Sequence, residues 1–222
     1  MILRISKIVI ASLFGFASAF IITALITSAR QKQVNEDAIV EPYQNTMPSG
    51  SNKYSGIIKL VIGESGFCSG VVIDGIYALT AAHCVKDTLG SLTSDKILIL
   101  DMKDTFTGIV AEPVAIDNLR DIALIKGDFS DFGYFELADS PGSGAVISCG
   151  YPSGGDLFCS TFLLKGNYEF RLLGAGGILY MGQSGGPVFN FDNKVVAVNS
   201  AVRETDVLFA PVTGALEIFG IK

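Results

Sequence analysis

Thr80-Ala81-Ala82-His83-Cys84 holds the only histidine of a 222-residue chain. Histidine is the usual general base for activating a serine hydroxyl near neutral pH, so catalysis of that kind has a single candidate base here. Working outward from it, a lone acid enters an apolar run at Arg120-Asp121-Ile122-Ala123-Leu124. Further on, a glycine-rich turn carries one serine at Gly182-Gln183-Ser184-Gly185-Gly186-Pro187. Base, acid and nucleophile stand in that order. Each also has a plainer reading: the acid could end a turn, with Asp117 and Asp101 as weaker substitutes, and the glycines could form a simple tight turn.

The three segments resemble the histidine, aspartate and serine motifs of trypsin-like (chymotrypsin-fold) serine peptidases. The resemblance runs from about Gly56 to about Val212. It implies that His83 takes the proton of Ser184 and later delivers it to the leaving amine, while Asp121 holds the imidazole in one tautomer. It also implies an oxyanion hole made by the backbone N–H groups of Gly182 and Ser184. Disulfides Cys68–Cys84 and Cys149–Cys159 follow from the same resemblance, the second being similar to an extra bridge of bacterial α-lytic-type relatives. The runner-up reading is a non-catalytic binding or structural protein that keeps the fold. A six-feature match to motifs and glycine turn counts against it, because a scaffold has no need for them.

The resemblance places a specificity pocket around Ile178-Leu179-Tyr180-Met181 on one side and Asn199-Ser200-Ala201 on another, with Phe209-Ala210 as a further candidate. Ile178 stands where cleavage after Lys or Arg needs an acid, and glutamate-specific relatives use a second histidine that this chain lacks. The expected preference is therefore for apolar side chains of moderate size, loosely enforced, since one methylene discriminates by only about 1–3 kcal/mol. The chain departs from digestive members at Gln183, where they carry the aspartate that pairs with a newly cut N-terminus. An Ile-Val-Gly-Gly sequence after a basic residue is also absent. Direct folding into an active form is the expectation.

A second enzyme class matches the nucleophile literally, because Gly182-Gln183-Ser184-Gly185-Gly186 satisfies the G-x-S-x-G pattern of α/β-hydrolases. Those enzymes place their histidine after the serine, and no histidine follows Ser184. That reading fails.

Residues 54–222 carry 11 Lys and Arg against 19 Asp and Glu, a net of −8, which argues against a nucleic-acid partner. With one histidine and no Cys-x-x-Cys the ligands for zinc are too few, and neither a metal nor a cofactor is expected. At the other end, Arg4 and Lys7 precede Ile8 to Thr27, an uncharged run of 20 residues followed by Arg30 and Lys32. As a helix it would span about 30 Å, the hydrocarbon thickness of a bilayer. Residues 1–29 read as a signal-anchor or a signal peptide cut after Ala29, and residues 30–53 as a flexible polar linker. An export segment with two disulfides points to a domain outside the cytoplasm, membrane-anchored or secreted, acting on peptide or protein substrates. Four reduced cysteines in a cytosolic chain is the alternative.

From residue 54 onward the chain is strand-like. Twelve short runs rich in Val, Ile and Leu are separated by Gly, Asp, Asn or Ser: 57–62, 70–73, 76–80, 96–100, 107–116, 122–125, 145–148, 158–164, 168–173, 187–189, 195–198 and 208–212. No long helical period interrupts them. The pattern predicts an all-β peptidase domain over 54–222, built from two six-stranded antiparallel barrels at about 54–130 and 140–222. The active site would lie in the cleft between them. A short helix is expected over Thr213–Phe219.

Overall fold

The computed structural model describes residues 56–221 apart from 64, 65, 88, 94 and 101–105. The expected N-terminal hydrophobic helix, the linker and the substitute acid Asp101 lie outside the described residues. No helix among the described residues is long and apolar enough to cross a membrane.

Among the described residues twelve strands form two closed antiparallel barrels. The first comprises β1 (Ile57–Ile62), β2 (Gly66–Val72), β3 (Tyr77–Thr80), β4 (Ile97–Leu100), β5 (Phe106–Asp117) and β6 (Ile122–Lys126), closed in the order β1-β2-β3-β6-β5-β4. The second comprises β7 (Gly144–Gly150), β8 (Phe158–Tyr168), β9 (Arg171–Ala175), β10 (Pro187–Phe189), β11 (Val195–Arg203) and β12 (Asp206–Pro211), closed as β10-β11-β12-β9-β8-β7. Closure leaves no unpaired sheet edge, which suits a chain so rich in β-branched residues.

Alternation along the strands explains how one sequence builds two barrel interiors and a seam. Successive residues of a strand point to opposite faces. Ile58 and Leu60 of β1, Ala78 of β3 and Ala123 and Ile125 of β6 therefore fill the first barrel with Ile97, Ile99 and Phe129. Their neighbours Ile57, Leu79, Ile122 and Leu124 turn the other way and pack against Tyr151, Phe189, Val195, Val198 and Ala210 of the second barrel. Val146, Phe162, Val188, Val196 and Phe209 fill the second interior, with the Phe162 and Phe209 rings edge-to-face at 5.2 Å. Burial on both faces is why these strands read as continuous apolar runs rather than as clean alternations.

Both disulfides have the expected pairing, Cys68–Cys84 and Cys149–Cys159. The second joins residues directly opposite each other in the β7–β8 ladder. Strand boundaries differ from the sequence reading in a few places. Tyr168 closes β8 rather than opening β9, because Glu169 takes a positive φ of 54° and turns the chain before Arg171. β2 begins four residues earlier than expected, at Gly66, since its N-terminal half pairs with Leu60–Ile62. The terminal helix spans only Ala215–Ile218. Between the barrels the connector first bonds back to the first one, Phe129 to Gly75 and Phe135 to Val72, and then to the second, where Leu137 bridges in parallel to Val195.

Candidate active site

His83 and Asp121 come from adjacent pieces of the first barrel. β3 pairs with β6, with Thr80 opposite Ala123, so the segment after β3 and the turn before β6 meet at one end of the barrel. His83 lies in a single 3₁₀ turn, Ala82–Cys84, entered directly from β3 and pinned by the Cys84 disulfide. Asp121 is reached through the turn 117–120, in which Asp117 Oδ1 accepts the N–H groups of Leu119 and Arg120 at 3.0 and 3.1 Å. That task accounts for Asp117 and separates it from the site. Asp121 itself adopts a left-handed φ of 63°, a conformation that aspartate tolerates better than most residues.

The two side chains meet. His83 Nδ1 lies 2.9 Å from Asp121 Oδ2, and the His83 backbone N–H donates to Asp121 Oδ1 at 2.9 Å. Asp121 is 5% exposed, whereas the His83 side chain is 38% exposed. Burial alone would raise the Asp121 pKa. The hydrogen bond and charge of His83, a bond from the Ser200 hydroxyl and the His83 N–H outweigh it and hold the carboxyl below its ordinary value. An ionised carboxylate only accepts, so the imidazole must carry its proton on Nδ1, leaving the Nε2 lone pair to act as a base.

The serine turn belongs to the second barrel but is bonded into the first. Ser69 of β2 donates its N–H to the Ser184 carbonyl at 2.8 Å and its hydroxyl to the Gly182 carbonyl at 2.8 Å. The same hydroxyl accepts the Tyr151 N–H at 2.9 Å, and the Ser69 carbonyl accepts the Thr80 hydroxyl at 2.7 Å. Cys84 Sγ lies 3.9 Å from the Ser184 carbonyl oxygen. Thus the serine's backbone rests against the disulfide beside the histidine. No hydrogen bond between the Ser184 hydroxyl and the imidazole occurs among the described bonds.

Within the turn, Gln183, Gly185 and Gly186 donate their N–H groups to Tyr180, Asn199 and Gln183 carbonyls. The N–H groups of Gly182 and Ser184 donate in none of the described hydrogen bonds. The approach is close enough to demand glycine at 185: with φ of 81°, an added Cβ would sit 2.1 Å from Thr80 Oγ1 and 2.3 Å from the Ser69 carbonyl oxygen.

A family model described as the trypsin-like peptidase domain matches residues 68–198, more than half of the chain. The chain belongs to the trypsin-like peptidases. It is 28% identical over 167 residues to the serine protease Do-like HtrA of Bacillus subtilis, an alignment taking in 65% of this chain and 35% of that protein. The chain thus spans about a third of the length of this relative. Among solved structures it resembles the serine endoprotease from Yersinia pestis, with a TM-score of 0.63, 17% identity and coverage of 78% of this chain and 66% of that one. It also resembles an inactivated protease paralogue of the scabies mite, with a TM-score of 0.61, 20% identity and coverage of 75% and 91%.

Against this trypsin-like frame, the remaining residues singled out from sequence take definite places. Gln183 is buried, and its amide is used at both ends: Oε1 accepts the Tyr180 N–H at 2.8 Å and Nε2 donates to the Phe158 carbonyl at 3.2 Å. Asn199 is also buried, bonded to the Ser148 hydroxyl at 2.6 Å and to the Cys149 and Gln183 carbonyls at 3.0 Å each. Its side chain braces the serine turn from behind. Ile178 is exposed, Leu179 packs against the second interior, and Ala201 is half-buried. Phe209 is buried in the cluster that fills the second interior, edge-to-face on Phe162.

Ser200 is the residue whose role the sequence reading missed. Expected only as pocket lining, it donates its hydroxyl to Asp121 Oδ2 at 2.6 Å. A register shift in β11 between Asn199 and Ala201 sets Ser200 out of the ladder with β12. Bulges of this kind re-aim a side chain. Cys68, His83 and Cys84 bring possible metal-ligand atoms within 4.8 Å of one another, but both sulfurs are joined in the disulfide and offer no thiolate.

Proposed function

We propose that the domain is a serine endopeptidase working through an acyl-enzyme, with Ser184 as nucleophile, His83 as general base and Asp121 as the group that orients and charges the imidazole. Ser184 Oγ attacks the scissile carbonyl carbon while its proton passes to His83 Nε2. The carbonyl oxygen takes up negative charge opposite the N–H groups of Gly182 and Ser184. Collapse breaks the C–N bond, and the departing amine takes the proton from His83. Water then repeats the sequence on the ester, with His83 again as base.

The observation that supports this reading most directly is the His83–Asp121 pair, an imidazole with its proton fixed on the far nitrogen, set beside a glycine turn bonded into the same barrel. The pairing has no structural need of a nearby serine, and the serine turn has no structural need of an exposed histidine. Their meeting favours chemistry. The substrate is a peptide or protein whose residue before the scissile bond is apolar and of moderate size, held near Ile178, Leu179 and the strand Asn199–Ala201. Export, with residues 1–29 as anchor or cleaved signal, is proposed from the N-terminal hydrophobic run together with two formed disulfides.

One observation favours the second reading, a non-catalytic member of the fold: an inactivated protease paralogue has the same architecture. A fluorophosphonate probe distinguishes the two. Covalent labelling at Ser184, abolished in His83→Ala, is the expected result. A wild-type protein that takes no label under conditions where a control serine peptidase is labelled fully would leave the non-catalytic reading standing.

A further inference from the structure

Among the described residues two charged side chains are buried, Asp121 and Lys59. The first has its task in the site. The second, 1% exposed, takes no part in the chemistry set out above. Lysine is almost never hidden so completely without partners that reward its desolvation.

Lys59 stands opposite Ser69 in the β1–β2 ladder, so both side chains leave the same face of the first barrel. That face looks at the loop following β7. Ser69 holds one end of it through the Tyr151 N–H. The Lys59 ammonium holds the other, donating to the Gly154 carbonyl and lying 5.0 Å from the centre of the Tyr151 ring. Tyr151 returns the contact, its hydroxyl donating to the Ile57 carbonyl at 2.9 Å.

The held loop is the seat of the oxyanion turn. Ser153, in a left-handed conformation with φ of 49°, donates its N–H to the Met181 carbonyl at 2.7 Å. A Cβ placed on Gly182 would lie 2.6 Å from both Ser153 N and the Tyr151 carbonyl oxygen. Gly182 thus lies close against the loop backbone at Tyr151 and Ser153. The loop itself, Pro152-Ser153-Gly154-Gly155, has few atoms to bury and much conformational freedom to lose. A charge-assisted bond is roughly twice as strong as a neutral one and compensates for this poverty of packing.

We propose that Lys59 is a positioning residue for the oxyanion turn: its ammonium, reaching across the seam from the first barrel, fixes the Tyr151–Gly154 loop on which Met181 and Gly182 rest. The proposal builds on the peptidase reading. A misplacement of about 1 Å near reacting groups costs about 100-fold in rate, so a loosened seat is felt in turnover.

The test uses the full chain with Lys59→Met, which keeps the stem and removes the charge, and active sites counted by fluorophosphonate titration. Turnover per titrated site falls by about 10- to 100-fold with KM changed by less than about threefold. Amide hydrogen exchange accelerates in peptides covering 150–155 and 178–184 and stays as in wild type over β4–β6. Wild-type turnover per site, or exchange accelerated evenly through both barrels, overturns the assignment. Should Lys59→Met not fold, Lys59→Gln is read by the same two measurements. If the wild type hydrolyses no peptide, the peptidase reading falls, and the exchange pattern alone then decides Lys59.

Discussion

Ser200 donates its hydroxyl to Asp121 Oδ2 at 2.6 Å, and the same oxygen engages His83 Nδ1 at 2.9 Å. The buried carboxylate is therefore held by the second barrel while it bonds an imidazole from the first. Ser200→Ala removes this clamp. Since hydrogen bonds to charged groups are worth about 1.5–3 kcal/mol, kcat/KM is expected to fall by about tenfold or more. Peptide hydrolysis at saturating and limiting substrate measures it. An unchanged value would mean that His83 alone fixes the carboxylate.

Asp121→Asn and Asp117→Asn are expected to behave very differently. The first puts an amide where an ionised acceptor is needed and lowers kcat by about 10⁴-fold. The second disturbs only the turn that closes onto Asp121, through the bonds to Leu119 and Arg120, and keeps activity within about tenfold of wild type. Comparable losses in both variants would reopen the assignment of the acid.

The depressed Asp121 pKa carries a stability consequence of definite sign. A carboxyl that ionises more readily folded than unfolded contributes stability above its unfolded pKa, near about 3.9 for aspartate, and loses it as pH falls through the lower folded value. Urea unfolding from neutral pH into this acid range should show the wild type losing its advantage over Asp121→Asn. A constant difference between the two across that range would contradict the charge-based account.

The two disulfides separate stability from function. Their sequence separations are 16 and 10 residues, so chain entropy assigns each about 3 kcal/mol of stabilisation. Replacing either pair with serines lowers the denaturation midpoint by a similar amount. Only loss of Cys68–Cys84 also lowers turnover per folded molecule, since Cys84 adjoins His83 and touches the Ser184 carbonyl. Equal turnover losses in both pairs would argue against that division.

Gly185→Ala drives a methyl group into Thr80 and the Ser69 carbonyl from a backbone that already has positive φ. Both causes act together, and several kcal/mol of destabilisation follow, among the larger effects a single substitution produces. Thermal unfolding measures it. A near-native midpoint would show that the barrels can separate slightly without penalty.

Much of this molecule was legible because its signals are local. The runs 57–62 and 187–189 coincide with β1 and β10, and the motifs around His83 and Asp121 arrive at one carboxylate–imidazole pair. What stayed hidden depends on long-range geometry. Ser200 reads as an ordinary strand residue; only the register shift in β11 turns it toward Asp121, 79 positions away. Asn199 likewise looks like pocket lining until its three bonds behind the serine turn are seen. Lys59 in the apolar run Ile57–Ile62 resembles the solvent side of an edge strand, because nothing nearby reveals that a second barrel covers that face.

The connector 127–143 falls between the strand that follows Asp121 and the first strand of the half that carries Ser184. Severing the chain there would give two polypeptides, one with imidazole and carboxylate and the other with the alcohol, so on the proposed peptidase reading each would lack part of the set. Function restored on mixing would then report reassociation of the fragments, so the architecture doubles as a ready-made complementation pair.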